Sequence, residues 1–364
     1  MLNRIGRDKI FTDVKEITKD NILSVLKKAY AKHRANALDM QFLIDYEAGI
    51  QPLPYSKLIR PDIDIRTTDN MANYVTEFKK GYFWGTPPIY TQRGNKEHHD
   101  TDTDIDSSGI SALNEMMLNG ICVGRERQKL ADFVEKTGIG HAIVTAKTDW
   151  KNESTKGAYA NVYTLDSRFA FVVYYGQRKA MGVTFTKIAG KVYFSCFTNS
   201  RRFEVQGDNV EEYVNELGTI PIVEYERSVD RTGCFERQIS LMDNLNSMVS
   251  NFANDVAQKT QEIWWGNDIQ FPKDENGNDI KPQSGQWLLT YTGGEGNNPK
   301  IEPMSSTFDS TPTLEAIEGT RNEILKKCFV PMQYSSEGGG STGIASSLSA
   351  GWDAAAVDAM REEQ

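Results

Sequence analysis

The sequence predicts an α+β protein, in which helices and strands occupy separate stretches of the chain. Apolar residues recur with the 3.6-residue period of helices up to about residue 137, and again beyond residue 228. Between these stretches the period changes to two, which is typical of strands. Because short turns and not helices separate the strand segments, we expect antiparallel pairing. The 364 residues can hold two or three domains.

The N-terminal stretch is predicted to be helical. A first helix is expected over about residues 21–44, with Asp20 as its cap and Gly49 just beyond its end. A second is expected over about 70–81, followed by an aromatic turn rich in glycine and proline. Its apolar stripe comprises Met71, Tyr74, Val75, Phe78 and Tyr82. Two shorter amphipathic helices are predicted near 111–119 and 124–137.

The middle of the chain is predicted to form an antiparallel meander. Its segments are short and rich in Val, Tyr and Phe, and glycine-containing turns separate them. The predicted strands are 140–147, 160–165, 169–175, 182–188, 192–198 and 220–225.

The last third of the chain returns to a helical pattern. A long helix of roughly 26 residues is predicted from about Phe235, with polar residues Asn244, Asn246, Ser250, Asn251 and Asn254 beside its apolar stripe. A loop-rich insert follows from Trp264 to Asp309. A second helix is expected from Thr311 to Pro331, and a glycine-serine stretch then leads into a last helical segment.

The overall charge excludes some functional classes. The formal net charge is -9 at pH 7, although residues 1–40 carry nine Lys or Arg against five acidic residues. A protein that grips DNA by neutralising phosphates is usually basic, so this balance argues against an ordinary DNA clamp. The sequence also has no apolar run long enough for a membrane span. The four widely spaced cysteines indicate free thiols in a reducing compartment.

Two stretches of the sequence partly match patterns of phosphate-binding or metal-dependent enzymes. The glycines at 338–343 lack the GK[ST] ending that a phosphate-binding P-loop requires. Asp62, Glu77 and Lys79 fit the loose PD…ExK pattern of metal-dependent nucleases, although Glu77 and Lys79 fall on different sides of a predicted helix. A metal-dependent nuclease therefore stays open as an alternative.

A calcium-binding module is the other alternative. Asp104, Asp106 and Glu115 stand at positions 1, 3 and 12 of an EF-hand-like loop, with Gly109 at position 6. The residues before this loop do not have a helical pattern, so an acidic loop that precedes a helix explains the same residues.

The order of elements and five segments together resemble the portal, or head–tail connector, proteins of long-tailed double-stranded DNA bacteriophages. LIDYEAG at 43–49 is similar to an early tyrosine–glycine segment of that family, and GYFWGTPP at 81–88 to its GYxxGxP motif. GTIPIVE at 218–224 resembles GxIPxVE, and SLMDNLNSMVSN at 240–251 resembles LIDxxNxxxSN of the stem helix. STGIAS at 341–346 is similar to the SSGxAL segment that follows the tunnel loop.

The resemblance implies a homo-dodecameric ring at one capsid vertex. The ring would form the conduit for genome packaging and ejection, with no catalysis of its own and no cofactor. It implies the portal fold, with a helical and antiparallel β wing, long stem helices and a loop-rich clip. The corresponding ranges are 1–232 for the wing, 233–261 for a stem helix, 262–310 for the clip, 311–331 for the second stem helix, 332–343 for the tunnel loop and 344–364 for the start of the tunnel helix.

By the same resemblance, the tunnel loop faces DNA at the constriction. Its small side chains would permit close approach and movement. The DNA-facing residues are expected to be Ser335, Ser336, Glu337, Gly338, Gly339, Gly340, Ser341 and Thr342.

The clip is expected to contact the partner proteins. We expect its interface to include Trp264, Trp265, Asp268, Lys273, Asp274 and Glu275. The insert and the last segment carry more acidic than basic residues, and an acidic tunnel would let DNA slide.

The resemblance also implies partners and a location. The expected partners are double-stranded DNA in the lumen, the terminase, a head-completion or tail adaptor, and the capsid and scaffolding proteins. No membrane is expected to take part. Assembly would occur in the host cytoplasm and the product would lie at the portal vertex of the virion. Portals of this kind usually continue past the tunnel helix into a crown, and the expectation here is a chain that stops within that helix.

Overall fold

The computed structural model describes residues 4–53, 63–85, 89–91, 108–116, 124–146, 160–259, 264–267, 273, 300–303 and 310–331. These residues form both helices and sheets, which confirms the α+β class. They divide into two compact units. The first contains the described residues of 1–52, 70–243 and 321–364, and the second those of 53–69 and 244–320.

Helix α1, Ile22–Glu47, is the long first helix that the sequence predicts. Asn21, and not Asp20, is at its N-cap position, and no side chain caps the helix there. The Asn21 Oδ1 instead accepts a hydrogen bond from the Thr18 amide at 2.9 Å, which closes the preceding turn. Gly49 has a φ of 93°, as predicted for the glycine that follows a helix end.

Helix α2, Met71–Trp84, continues three residues beyond the predicted end at Gly81, into the segment predicted as a turn. Its buried side also differs from the predicted apolar stripe, because Tyr74 and Tyr82 are substantially exposed. Thr76 and Lys79 are buried in their place. The periodicity therefore indicated the helix correctly and placed Met71 and Val75 on its buried face, but it was wrong for Tyr74 and Tyr82.

Two further helices lie in the first unit. Helix α3 spans Ser108–Met116, three residues earlier than predicted, and helix α4 spans Gly124–Thr137 as predicted. Strand β2, Ile139–Ala146, follows α4 directly through Gly138, whose φ is 81°. A Cβ at Gly138 would lie 2.2 Å from the Arg231 carbonyl oxygen, so this close approach requires glycine.

A six-stranded sheet forms the larger β layer. Its strands are β1 (Ile10–Phe11), β4 (Ala170–Tyr175), β5 (Arg178–Ile188), β6 (Lys191–Phe197), β7 (Arg201–Gln206) and β8 (Asn209–Val214), paired in that order. The pairs from β4 to β8 are antiparallel, as predicted, but β1 pairs with β4 in parallel.

The sequence prediction missed β1, β7 and β8. The segments RRFEVQ and NVEEYV of β7 and β8 carry charges at successive positions, which obscures the two-residue period. Strand β8 is at the sheet edge and is mostly exposed, so burial does not select apolar residues there.

A three-stranded antiparallel sheet consists of β3 (Ala160–Leu165), β2 and β9 (Ile222–Glu226), in that order. It packs against the larger sheet at Gly182 of β5. A Cβ on Gly182 would lie 2.8 Å from Ile220 Cγ2 and 3.0 Å from Ile222 Cβ. The two sheets can therefore approach closely only because residue 182 has no side chain.

Helix α1 covers the other face of the six-stranded sheet. The buried residues of this core come from the helix and from four strands: Ile22, Val25, Leu26, Ala29, Phe171, Val173, Met181, Val183, Phe185, Cys196, Phe203 and Val205, with Ile10 and Ile17. His33 belongs to the same layer. Its ring stacks on Phe171 with centroids 4.6 Å apart, and its Nε2 lies 2.9 Å from the Arg168 carbonyl oxygen.

The second unit contains the elements around the predicted insert. Helix α5, Ile239–Lys259, follows a 3₁₀ turn of the first unit, Glu236–Gln238, and enters the second unit at Asn244. Strands β10, Trp264–Asn267, and β11, Lys300–Pro303, form a two-stranded antiparallel sheet. Helix α6, Thr311–Lys327, follows.

Burial of His33 predicts a pH-dependent stability. Burial lowers the pKa of His33 from 6.5 to about 4, so the unfolded chain binds a proton at this residue more readily than the folded one. Stability is therefore fully present above pH 6.5 and falls as the pH drops towards 4, by about 3 kcal/mol at most from this group. Urea unfolding at pH 7 and pH 4 should show a smaller loss for His33→Gln than for the wild type. Equal losses in the two proteins would contradict this role.

Candidate functional site

Five polar residues lie beside the apolar stripe of α5, the helix expected in the stem: Asn244, Asn246, Ser250, Asn251 and Asn254. If these five residues formed one displayed polar face of the stem helix, all five would be exposed. The structure contradicts this for three of them, because Asn246, Ser250 and Asn254 are at most 4% exposed. Asn244 and Asn251 are exposed. The buried three are spaced four residues apart, so they share one side of the helix.

These three side chains bind the backbone of the extended segment 63–69. The Asn254 Oδ1 accepts a hydrogen bond from the Ile65 amide at 2.7 Å, and its Nδ2 donates to the Ile65 carbonyl at 3.0 Å. The Ser250 hydroxyl accepts from the Thr67 amide at 3.1 Å and donates to the Thr67 carbonyl at 3.0 Å.

Asn246 makes the third contact, accepting from the Asp69 amide at 2.8 Å. We call the five hydrogen bonds from residues 246, 250 and 254 to residues 65, 67 and 69 the polar ladder.

The geometry of the two partners explains the ladder. Alternate residues of an extended chain point their backbone groups to the same side, and they are separated by about 6.6 Å. Residues four apart on a helix are separated by about 6 Å along its axis. The side chains of α5 therefore meet every second residue of the segment, in the manner of a neighbouring strand. This contact occupies the side of α5 that contains the three buried residues.

The first turn of α5 is held within the first unit by Tyr46. The phenol donates a hydrogen bond to the Asp243 Oδ1 at 2.8 Å, and its ring stacks on Phe235 with centroids 6.0 Å apart. Burial raises the pKa of both Tyr46 and Asp243 above their ordinary values. Tyr46 belongs to the LIDYEAG segment and Asp243 to the SLMDNLNSMVSN segment, so the contact joins two of the family-like motifs.

A buried network surrounds Glu224, the last residue of the GTIPIVE segment. Its carboxylate contacts the His141 Nε2 at 3.0 Å, the Tyr174 hydroxyl at 2.7 Å and the Arg231 guanidinium. Burial would raise the pKa of Glu224, but the hydrogen bonds and charges of His141 and Arg231 lower it to about 2. The carboxylate is thus ionised and only accepts, so the His141 Nε2 carries a proton.

Ser167 completes a serine–histidine–glutamate arrangement that sequence reasoning missed. Its hydroxyl lies 3.0 Å from the His141 Nδ1. The three residues are far apart in the sequence, and only the pairing of β2 with β3 and β9 brings them together. The side chains of His141 and Glu224 are 0% and 3% exposed, and Ser167 is 0% exposed. A substrate has no access to a hydroxyl in this position, so the network holds the sheets together.

The residues of the nuclease hypothesis do not converge in the part of the chain described. Glu77 is exposed and pairs with Lys80 at 2.7 Å, whereas Lys79 is buried. Asp62 lies outside the described residues.

The described residues also contain no group of three or more His, Cys, Asp or Glu side chains that could hold a metal ion. Of the three carboxylate residues in the calcium hypothesis, Asp104 and Asp106 lie outside the described part, and Glu115 is on α3.

The structure places only some of the predicted clip residues. Trp264 and Trp265 are in β10, where they pair with Pro303 and Glu302 of β11, so the insert is not wholly composed of loops. Lys273 is exposed, and Asp268, Asp274 and Glu275 lie outside the described residues.

All eight predicted tunnel-loop residues also lie outside the described part: Ser335, Ser336, Glu337, Gly338, Gly339, Gly340, Ser341 and Thr342. Among the helices that are described, none is both long and apolar enough to cross a membrane.

The polar ladder predicts different effects for two asparagines of the same helix. Asn254→Ala leaves the Ile65 amide and carbonyl without their partner and should lower the free energy of unfolding by about 2 kcal/mol. Asn251→Ala is the matched control, because it makes the same change at an exposed position and should alter stability by about 0.5 kcal/mol or less. Urea denaturation measures both. The ladder would be refuted if the two variants were equally stable.

The comparison with family models supports the resemblance to portal proteins. A search among curated proteins gave no match. The family model described as phage portal protein, SPP1 Gp6-like, matches residues 64–349. This range includes residues 65, 67 and 69 of the polar ladder, strands β2 to β11 and helices α2 to α6. Because the match covers well over half of the chain, the protein belongs to the family of SPP1 Gp6-like phage portal proteins.

Proposed function

We propose that the chain is one subunit of a homo-dodecameric ring at a single capsid vertex, and that the ring is the conduit for genome packaging and ejection. The observation that carries this proposal is the family match over residues 64–349, which includes parts of both compact units. The subunit would have no catalysis of its own, and a separate terminase would drive the DNA. The family implies a location at the capsid vertex of the virion.

The proposed domain assignment places residues 1–232 in the wing and 233–261 and 311–331 in the stem. Two observations support it. Helices α5 and α6 fall in the two stem ranges, and the paired strands β10 and β11 bring the two ends of the insert together. An insert whose ends are paired can project from a pair of helices as a separate module, as a clip at 262–310 requires.

The clip would bind the terminase during packaging and a head-completion or tail adaptor afterwards. Trp264, Trp265 and Lys273 would contribute to this interface, together with Asp268, Asp274 and Glu275. Lys273 is exposed, and aromatic residues are frequent anchors at protein interfaces. The capsid and scaffolding proteins are the partners proposed for the wing.

Residues 332–343 would form the tunnel loop, and 344–364 the start of the tunnel helix. Double-stranded DNA would pass the loop at Ser335–Thr342, where the glycines allow close approach and the single Glu337 does not attract phosphate. The buried ladder supports this division of roles. It binds three polar residues of α5 to protein backbone, so these three side chains are not available to DNA.

Electron microscopy of the purified full chain, together with native mass spectrometry, tests the proposal. We expect rings with a central hole and a mass of twelve subunits. A stable monomer at high protein concentration would contradict the proposal.

A substitution in the tunnel loop separates assembly from conduction. Gly339→Trp should leave the rings intact, because the loop lines the hole, but should reduce the DNA packaged by a reconstituted motor about tenfold or more. Gly319→Trp is a control of equal size on α6, at a position where an added Cβ meets open space. If the two variants packaged the same amount of DNA, the assignment of the loop would be wrong.

A further inference from the structure

An apolar groove lies between α1 and the end of the six-stranded sheet, within the first unit. It has a volume of about 710 Å³, which is large enough to receive several side chains. Its apolar lining comes from Leu23, Leu26 and Tyr30 of the helix and from Val192, Phe194 and Val205 of β6 and β7.

The charges around the groove are mainly positive. Lys27 and Lys191 line it from the helix and from β6, and Asp208 is the one acidic residue of its lining. The solvent face of α1 continues this character, because its exposed charged residues between positions 24 and 38 are all basic: Lys27, Lys28, Lys32 and Arg34. An occupant of the groove should therefore combine an apolar tip with acidic flanks.

In the same unit, the end of β8 has an exposed apolar tip with acidic residues beside it. Val214 is 79% exposed and Tyr213 is 50% exposed, at the edge of the sheet. Glu211, Glu212 and Glu216 flank them in a stretch that has no Lys or Arg between Phe203 and Glu226. Across the hairpin, Arg201 pairs with Glu212 at 2.6 Å and Arg202 lies over the Tyr213 ring, so Glu211 and Glu216 carry the acidic character. We call residues 211–217 the acidic knob.

The groove and the knob lie at opposite ends of one hairpin. The turn of β7 and β8, at Gly207 and Asp208, lines the groove. Val214 pairs with Arg201 at the other end of the hairpin, five residues along each strand and thus about 17 Å away. The knob therefore cannot enter the groove of its own subunit, but it can enter that of another copy.

We propose that the acidic knob of one subunit docks into the apolar groove of its neighbour, and that this contact joins adjacent wings in the ring. A head-to-tail contact needs two different complementary surfaces on every subunit, separated in space, and such contacts generate closed rings. The groove and the knob meet this requirement in shape, polarity and sign of charge. The inference rests on the proposed ring and specifies one of its interfaces.

Charge reversal of each surface tests the contact. The groove variant combines Lys27→Glu with Lys191→Glu, and the knob variant combines Glu211→Lys with Glu216→Lys. Each should form about tenfold fewer rings than the wild type in low salt, because like charges then meet. An equimolar mixture of the two variants should recover rings, since each altered groove then meets an oppositely charged knob. Native mass spectrometry and negative-stain imaging count the rings.

The control variant combines Lys15→Glu with Lys19→Glu, which reverses two exposed lysines outside the groove lining. It should assemble as the wild type does, and circular dichroism should show that all variants are folded. Normal ring formation by both charge-reversed variants would overturn the inference, as would a mixture that fails to assemble. Intact rings of the groove variant that bind less DNA would also overturn it, in favour of a nucleic-acid surface on α1.

The behaviour of the wild type shows whether the proposed interface alone is wrong or the proposed ring is wrong as well. If the wild type forms rings and the variants do too, only the proposed interface is wrong. If the wild type forms no rings, the proposed function is wrong as well.

Discussion

Buried backbone amides and carbonyls must find hydrogen-bond partners, and the second compact unit meets this constraint with side chains. The segment 63–69 is extended, yet it has a helix beside it and not a strand. Asn246, Ser250 and Asn254 supply the donors and acceptors that a neighbouring strand would otherwise provide. The match between two residues of extended chain and four residues of helix makes this possible. Asparagine suits the position because one side chain both accepts and donates.

The same constraint accounts for the buried polar residues in three of the family-like motifs. Asp243, Asn246 and Ser250 lie in one motif, Tyr46 in a second and Glu224 in a third. Each is a polar group that binds another buried group: Tyr46 pairs with Asp243, two ladder residues bind the 63–69 backbone, and Glu224 joins His141, Tyr174 and Arg231. Three of the segments that resemble portal proteins therefore carry buried structural contacts.

Much of the fold could be predicted from the sequence, because periodicity is a local property. The helices around 22–47, 124–137 and 311–327 and six of the strands followed from it. Strand β8 could not be predicted, because at an exposed edge charged residues replace the apolar ones that mark a strand. Strand β7 lies inside the sheet, but its two adjacent arginines obscured the alternation of Phe203 and Val205.

The polar ladder was not predictable either. A polar residue on a helix looks the same in sequence whether it faces solvent or a buried backbone, and only the tertiary neighbour decides. The Ser167–His141–Glu224 contact likewise depends on strand pairing between distant segments. The candidate clip and tunnel residues followed from resemblance to a family and not from the physics of the residues themselves.

The central claim is that Asn246, Ser250 and Asn254 of α5 bind the backbone of the extended segment 63–69. Residue-resolved amide hydrogen exchange on the purified full chain tests it most directly. The amides of Ile65, Thr67 and Asp69 should exchange as slowly as those in the middle of α5, because all of them donate hydrogen bonds within the folded unit. Exchange of these three amides at the rate of an unprotected chain, with α5 itself protected, would contradict the account.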